Sequence, residues 1–284
     1  MTDDIANTSA EMKGGALTAL KGMFSFFTIL PINIEMKEID AMNRMFWLVP
    51  VVGLFYGLLA AGEVWLLSNV MDSTLLVAVI TLFTMHLFNR YLHLDGLLDV
   101  GDGLTVAGTQ EDHRRALKDS TIGSGAFATG FFVSMITVVA MSQLGIGMPM
   151  WTSFVLLFVM SEVLCRNAQV FAAGFGIPSN GMAGESVRCT GGRQMLYSLV
   201  LTCCIIAVTG FVAWTLLGHD TYDYTFFPVC AATGLLASII WARMLSGTAN
   251  RNFGAVNGDI LGAVNESTRA IVLVLFVVIL TVMI

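Results

Sequence analysis

The chain has 284 residues, of which 56% are hydrophobic and only 12% charged, whereas soluble proteins average roughly 45–50% and about 25%. With a mean hydropathy of +0.79, so few charges cannot solvate a globule of this length, which excludes an ordinary soluble domain and indicates an integral membrane protein. The net charge of −6 and the pI near 5.1 also exclude the basic surface of a nucleic-acid-binding protein, so no nucleic-acid partner is expected.

The predicted elements begin with an apolar run at about 15–30, which we expect to be an interfacial or re-entrant helix because Lys21 interrupts it and Pro31 closes it. A membrane-crossing helix needs about 20 mainly apolar residues. Seven further stretches of the chain meet this requirement. They lie at about 46–70, 74–92, 125–147, 150–173, 195–218, 226–246 and 267–284, and the last is short.

The sequence therefore predicts an all-α fold, a polytopic membrane helical bundle of about seven transmembrane helices plus the N-terminal helix. We expect 1–45 to form an N-terminal cytoplasmic or interfacial segment and 46–284 to form the transmembrane catalytic domain. No internal repeat divides the chain further.

The basic residues predict the orientation of this bundle. All 14 lie in, or near the ends of, the N-terminal segment and the connections 93–124, 174–194 and 247–266. The opposite connections contain none. The positive-inside rule then places the N-terminus in the cytoplasm. We expect a multi-pass protein of the cell membrane, in contact with the lipid bilayer, whose active site faces the cytoplasm.

The most informative segment is an acidic one. Asp95, Asp99 and Asp102 are spaced i, i+4, i+7, so on a helix their side chains share one narrow stripe. Neighbouring carboxylates repel one another unless a cation lies among them. Hard oxygen ligands suit Mg²⁺, with Mn²⁺ as the second choice. The alternative is a solvated acidic loop without metal, which the interleaved leucines disfavour.

Basic and small polar residues follow in the same connection, at 114–128. Phosphate transfer requires this combination, because a metal neutralises developing charge while Arg and Lys bind the non-bridging oxygens. Ordinary positive-inside charge is the alternative explanation for each basic residue. The predicted phosphate-binding residues here are Arg114, Arg115, Lys118, Ser120 and Gly123.

A third polar patch lies at 251–266. Asp259 and Glu266 are seven residues apart, again on one helical face, and Asn265 stands beside them. We expect these side chains to complete the polar site from another inner connection, just before the final span.

Several polar residues inside the predicted spans have structural interpretations. Glu162 and Arg166 are four residues apart and are predicted to pair with each other, although Arg166 lies near enough to the cytoplasmic end to reach a phosphate. His86 is predicted to be a hydrogen-bonded packing residue. His93 is expected to point away from the aspartate stripe, which favours a structural role.

Two motifs resemble those of the cobalamin synthase family, the adenosylcobinamide-GDP ribazoletransferases. HLDGLLDVGDGL at 93–104 resembles the family pattern HLDGLxDxxDG, and LKDSTIG at 117–123 resembles its downstream KDSxxG. FFTILP at 26–31 and NGDILGAVNE at 257–266 extend the resemblance along most of the chain. The family usually has Arg at the place of Ile29.

The resemblance implies a membrane-bound, Mg²⁺-dependent transferase. It would join adenosylcobinamide-GDP to α-ribazole, or to α-ribazole 5′-phosphate, giving adenosylcobalamin or its 5′-phosphate and GMP. A ribose hydroxyl would attack the cobinamide-linked phosphorus, and one of the aspartates would assist deprotonation. The catalytic set implied is Asp95, Asp99, Asp102 and Asp119, with Asp259 and Glu266 adding a second metal position.

Two other functions stay open at the level of sequence. A CDP-alcohol phosphotransferase also cleaves a pyrophosphate with an alcohol, and 99–103 fits the D-x2-DG opening of its motif, but the Ala-Arg expected next is absent. A secondary transporter with an acidic ion site would carry charges near mid-span and comparable loops on both faces, whereas the polar residues here gather toward one face. A homo-oligomer is also left open.

Overall fold

The computed structural model describes residues 14–144, 150–217 and 223–283. Within these ranges the chain forms twelve α-helices and one short 3₁₀ turn at Phe46–Leu48, with no strand, which confirms the predicted all-α fold. The helices are α1 Ala16–Phe27, α2 Met36–Arg44, α3 Pro50–Ser68, α4 Thr74–Phe88, α5 Leu92–Thr105, α6 Gln110–Leu117, α7 Ser124–Leu144, α8 Met150–Phe175, α9 Met182–Cys189, α10 Gly192–Leu217, α11 Asp223–Asn252 and α12 Gly258–Met283.

The described helices include 6 that are long and apolar enough to cross a membrane, which confirms a polytopic membrane protein. A seventh crossing exists only if α4 and α5 are counted as one broken span, because they meet at an angle of 94°. The 15 residues of α4 extend about 22 Å, less than the about 30 Å of a bilayer core. The predicted span at about 74–92 is therefore helical only to Phe88 in its first part, and it crosses a membrane only together with α5.

The break between α4 and α5 has a specific backbone cause. Arg90 and Tyr91 both adopt left-handed conformations, with φ of 55° and 59°, which residues with a Cβ rarely occupy. The Arg90 guanidinium compensates by donating from Nη2 to the carbonyl oxygens of Ser25 (3.3 Å) and Phe26 (2.7 Å) at the end of α1. The turn thus fastens α1 to the start of α5.

The final two helices are longer than predicted. α11 continues to Asn252 and α12 begins at Gly258, so the expected short span at 267–284 is wrong. Asn257 explains the early start of α12, because its Oδ1 accepts the amide of Ile260 at 3.1 Å and so caps the helix. The polar patch therefore belongs to the first turns of a membrane helix and is not an inner loop.

The centre of the bundle is α8, whose described side chains are almost wholly buried among α3, α10, α11 and α12. Glycines on α3 allow α3 and α8 to pack closely, since a Cβ at Gly57 would lie only 2.5 Å from the Cα of Val159 on α8. Small residues at such crossings are typical of membrane helix packing. The polar residues of α8 between Ser161 and Gln169, and those of α12 between Asn265 and Arg269, are consequently buried.

Candidate active site

Helix α5 carries the predicted acidic stripe, and its neighbours bring in a fourth carboxylate. A Cβ at Gly96 would lie 2.7 Å from the carbonyl oxygen of Asp259, so the glycine lets α12 pack directly against α5. The negative charges of Asp259, Asp95 and Asp102 all act on the carboxyl group of Asp99. We call Asp95, Asp99, Asp102 and Asp259 the carboxylate cluster.

The members of the carboxylate cluster differ in their contacts. Asp102 accepts the amides of Gly123 (2.7 Å) and Ala126 (2.8 Å), one on each carboxylate oxygen, and thereby caps the N-terminus of α7. Asp259 accepts the side-chain amide of Asn257 at 2.7 Å. Asp95 and Asp99 accept no hydrogen bond from any described residue, so their oxygens are not occupied by donors of the described chain.

The hydrogen bond from the Gly123 amide to Asp102 joins the motif at 117–123 to the motif at 93–104. A Cβ at Gly123 would lie 2.5 Å from Oδ1 of Asp102, so the glycine is needed for the contact. The Gly123 amide, predicted to approach a phosphate, is instead engaged by the Asp102 carboxylate. The capping bond joins α5 to α7 and orients the turn that precedes α7.

Among the described residues, no three His, Cys, Asp or Glu side chains converge closely enough to cage one metal ion. The donor chemistry still suits Mg²⁺, because this ion is commonly held by one or two carboxylates together with water and substrate phosphates. Asp95 and Asp99 meet that requirement best, since neither is bonded to a described residue.

The predicted phosphate-binding residues have different surroundings. Arg114 donates from Nε to the carbonyl of Phe253 at 2.6 Å and from Nη2 to Gln110 at 3.0 Å, so it ties α6 to the end of α11. Lys118 is exposed and close enough for its charge to act on Asp259. Arg115 and Ser120 are also exposed. Lys118 is therefore a cation whose charge reaches the carboxylate cluster.

Asp119 lies on the exposed turn between α6 and α7. The hydroxyl of Thr121 (2.6 Å) and its amide (2.9 Å) both donate to Oδ1 of Asp119, and these bonds hold the pKa of this carboxyl below its usual value. Asp119 is therefore ionised at neutral pH, as a base must be, but the lowered pKa makes it a weak one.

Glu266 and Asn265 lie in a separate, buried charge network. Arg269 donates to both oxygens of Glu162, at 2.6 and 3.1 Å, and also pairs with Glu266. Asn265 donates to Glu266 at 3.2 Å. The structure therefore does not bring Glu266 to the carboxylate cluster. The predicted pairing of Glu162 with Arg166 is wrong, because α12 presents Arg269 to the same face of α8.

Arg166 is completely buried and does not reach a surface phosphate. Its guanidinium lies 5.2 Å from the ring centroids of Phe27 and Tyr56, and Nη1 is 3.1 Å from Nε2 of His93. His93 is thus buried, and its predicted structural role stays a prediction. His86 is buried too, but neither ring nitrogen has a described hydrogen-bond partner, so the prediction of a satisfied histidine is wrong.

A cavity that sequence reasoning missed opens beside the carboxylate cluster. It encloses about 620 Å³, counting the part open to solvent, and lies among α1, α2, α5, α8, α9 and α12. The FFTILP motif was the sequence feature that could have indicated this cavity, since Phe26 and Phe27 line it. The lining residues are Phe26, Phe27, Met42, Asn43, Phe46, Leu92, His93, Asp95, Gln169, Met182, Ala183, Ser186, Gly258, Asp259 and Leu261.

Comparisons with known proteins agree along nearly the whole chain. The family model for cobalamin-5-phosphate synthase matches residues 19–277. An adenosylcobinamide-GDP ribazoletransferase of Methanocella arvoryzae is 31% identical over 270 residues, covering 91% of this chain and 94% of the relative. Proteins of the same name from Methanosarcina mazei and Brevibacillus brevis are each 27% identical and cover 92% of this chain, and 92% and 98% of the relatives. No solved structure matches the chain.

Proposed function

The chain belongs to the cobalamin-5-phosphate synthase family, and from this membership we propose that it joins adenosylcobinamide-GDP to α-ribazole, or to α-ribazole 5′-phosphate. The products are adenosylcobalamin, or its 5′-phosphate, and GMP. This reaction assembles the nucleotide loop of the coenzyme. The observation that carries the proposal is the carboxylate cluster formed by α5 and α12, within a chain whose relatives of that name match it nearly end to end.

The chemistry is a phosphoryl transfer. A ribose hydroxyl of α-ribazole loses its proton and forms a bond to the cobinamide-linked phosphorus, while the bond from that phosphorus to the oxygen of GMP breaks. Such reactions depend on positioning and on stabilising charge at the phosphoryl oxygens. We assign Lys118 to a non-bridging oxygen of the pyrophosphate, a role supported by its charge acting on Asp259.

We assign Mg²⁺, or Mn²⁺ in its place, to the open carboxylates Asp95 and Asp99, with Asp259 beside them. The ion would neutralise charge on the pyrophosphate. Asp102 holds the amides of α7 and so positions the turn that carries Asp119 and Ser120. A carboxylate of the cluster, or Asp119, accepts the proton of the ribose hydroxyl.

We further propose that this end of the bundle faces the cytoplasm in the cell membrane. Lys118 and Arg114 lie at the same end as the carboxylate cluster, as the charge of Lys118 on Asp259 and the hydrogen bond of Arg114 to Phe253 indicate. Basic residues are retained on the cytoplasmic side of membrane proteins. Both substrates would then reach the cluster from the cytoplasm.

The test is a direct assay. Purified protein in detergent is incubated with adenosylcobinamide-GDP, α-ribazole and Mg²⁺, and both GMP and adenosylcobalamin are measured by chromatography. We expect equimolar release of the two products, loss of activity with EDTA and recovery when Mg²⁺ is restored. A parallel reaction with a CDP-alcohol and an acceptor alcohol is the control, and CMP release from that reaction alone would overturn the proposal.

A further inference from the structure

The cavity beside the carboxylate cluster is a binding site that the proposed chemistry has not yet used. Asp95 and Asp259 line it together with aromatic and aliphatic side chains and a few neutral polar ones. We propose that it binds the bicyclic base of α-ribazole and leaves the ribose beside these two carboxylates. The inference rests on the proposed function and assigns its nucleophilic substrate to a specific place.

The walls suit a flat apolar ring system. Phe26 and Phe27 pack edge to face, with centroids 5.0 Å apart, and Met42, Phe46 and Leu92 add apolar surface. Aromatic rings favour offset and edge contacts with other aromatic groups. Mostly apolar walls with a few polar groups are typical of pockets that bind small organic ligands.

Three polar side chains in the cavity, Gln169, Asn43 and Ser186, are already engaged with other groups. Gln169 donates to the carbonyl of Leu261 at 3.1 Å and approaches Nε2 of His93 at 3.2 Å. Asn43 accepts the hydroxyl of Ser186 at 2.7 Å. A guanine base has several donors and acceptors on its edge, and burying them against groups that are bonded elsewhere is unfavourable. The benzimidazole of α-ribazole has a methylated apolar edge and does not incur this cost.

The position of the cavity also fits the reaction. With the base against the apolar walls, the ribose would lie toward Asp95 and Asp259, so its attacking hydroxyl would reach the carboxylate cluster. The corrin ring with its peripheral amides is several times larger than a bicyclic base and does not fit the same space. The corrin part of the second substrate therefore stays outside, and its pyrophosphate meets the ribose at the cluster.

Ala183 on α9 offers the sharpest test. It lines the cavity opposite Gly258, where an added Cβ would lie 3.7 Å from the Cβ of Ala183. In Ala183→Phe the new ring occupies the space assigned to the base. Arg188→Phe is the matched control, because it places the same ring on an exposed position of the same helix.

Binding of α-ribazole, followed by the fluorescence of its base, and binding of adenosylcobinamide-GDP, followed by calorimetry, are measured separately on each full-length protein. We expect Ala183→Phe to weaken α-ribazole binding at least tenfold and to change adenosylcobinamide-GDP binding less than twofold. A riboside with a single-ring imidazole base should lose less affinity than α-ribazole. Arg188→Phe should leave both affinities within twofold of the wild type.

Unchanged α-ribazole binding in folded Ala183→Phe, or an equal loss for both substrates, would overturn the assignment. If the Phe variant does not fold, Ala183→Val and Gly258→Ala make the same comparison with smaller side chains, and a selective loss of about threefold is expected. Because binding is measured without turnover, a wild type that binds α-ribazole but releases no GMP contradicts the proposed function alone.

Discussion

At the scale of single residues, Asp95, Asp99 and Asp102 lie on one face of α5 but have different surroundings. Asp102 is held by two amides of α7, whereas Asp99 accepts no hydrogen bond from any described residue and feels three neighbouring negative charges. A carboxylate of the first kind stabilises the fold, and one of the second kind is open to a cation. Substitutions at the two positions should therefore separate stability from activity.

Asp99→Asn should lower kcat/KM for GMP release by about 100-fold or more, the usual effect of removing one group that stabilises a transition state. Thermal unfolding in detergent should stay close to that of the wild type, because no described hydrogen bond is lost. Asp72→Asn, an exposed acid in the turn between α3 and α4, is the control and should retain full activity. Full Mg²⁺-dependent activity in folded Asp99→Asn would contradict a role for this residue.

Asp102→Ala should instead lower the free energy of unfolding, by about 0.5–2 kcal/mol, because α7 loses its N-terminal cap. Asp102→Asn should be affected less, since one side-chain oxygen still accepts an amide. Thermal unfolding of both variants and the Mg²⁺ concentration for half-maximal activity are measured together. An unchanged melting temperature with a large rise in the Mg²⁺ requirement would show that Asp102 is a metal ligand and not a cap.

At the scale of elements, the break between α4 and α5 connects the N-terminal helices to the site. The left-handed backbone at Arg90 and Tyr91 costs roughly 1–2 kcal/mol per residue, and the hydrogen bonds from Arg90 to the end of α1 offset part of it. Because Phe26 and Phe27 end α1 and line the cavity, the position of α1 also determines the shape of that cavity.

Arg90→Ala should release α1 from the start of α5. We expect faster protease cleavage in the segment 28–35 between α1 and α2, together with weaker α-ribazole binding, because the wall carried by α1 is no longer held in place. Cleavage is followed by mass spectrometry of protein in detergent. Arg193→Ala, which removes an exposed arginine at the start of α10, is the comparison. Equal cleavage rates in the two variants would argue against the anchoring role.

At the scale of the whole molecule, α8 and α12 are joined by a buried network of Glu162, Arg269 and Glu266. A transporter would also carry charges at mid-span, but here the arginine is bonded to both carboxylates and the three groups are almost wholly buried. Such a network stabilises packing only while every charge is compensated.

Arg269→Met should destabilise the protein by about 3–5 kcal/mol, because two buried carboxylates lose their partner. Adding Glu162→Gln and Glu266→Gln should restore much of the loss, since no uncompensated charge is left. Thermal unfolding of the single and triple variants in the same detergent gives the comparison. A triple variant no more stable than Arg269→Met would show that the effect does not come from the unpaired charges.

The orientation of the molecule can be tested by cysteine labelling in a variant that lacks the five native cysteines. Asp72→Cys should react with a membrane-impermeant maleimide in intact cells, whereas Ser120→Cys should react only after the membrane is opened. The reason is that basic residues at 114–118 keep that end inside. The reverse pattern would place the carboxylate cluster outside the cytoplasm.

The sequence by itself determined the membrane class, the helical fold and the acidic helix α5. These properties depend on composition and on the spacing of neighbouring residues, which are local, and the family motifs lie in the same local stretches. The spacing alone likewise predicted that Asp95, Asp99 and Asp102 share one face of that helix. It did not predict their environment.

Only the tertiary structure decided which polar groups meet. Asp259 and Glu266 share one face of α12, but seven residues of helix separate them by about 10 Å along its axis, so the first joins the carboxylate cluster and the second lies in the buried network. Pairing across helices depends on how closely and at what rotation they pack, as the glycine at 96 shows. For the same reason the cavity, built from six helices, is visible only in the folded chain.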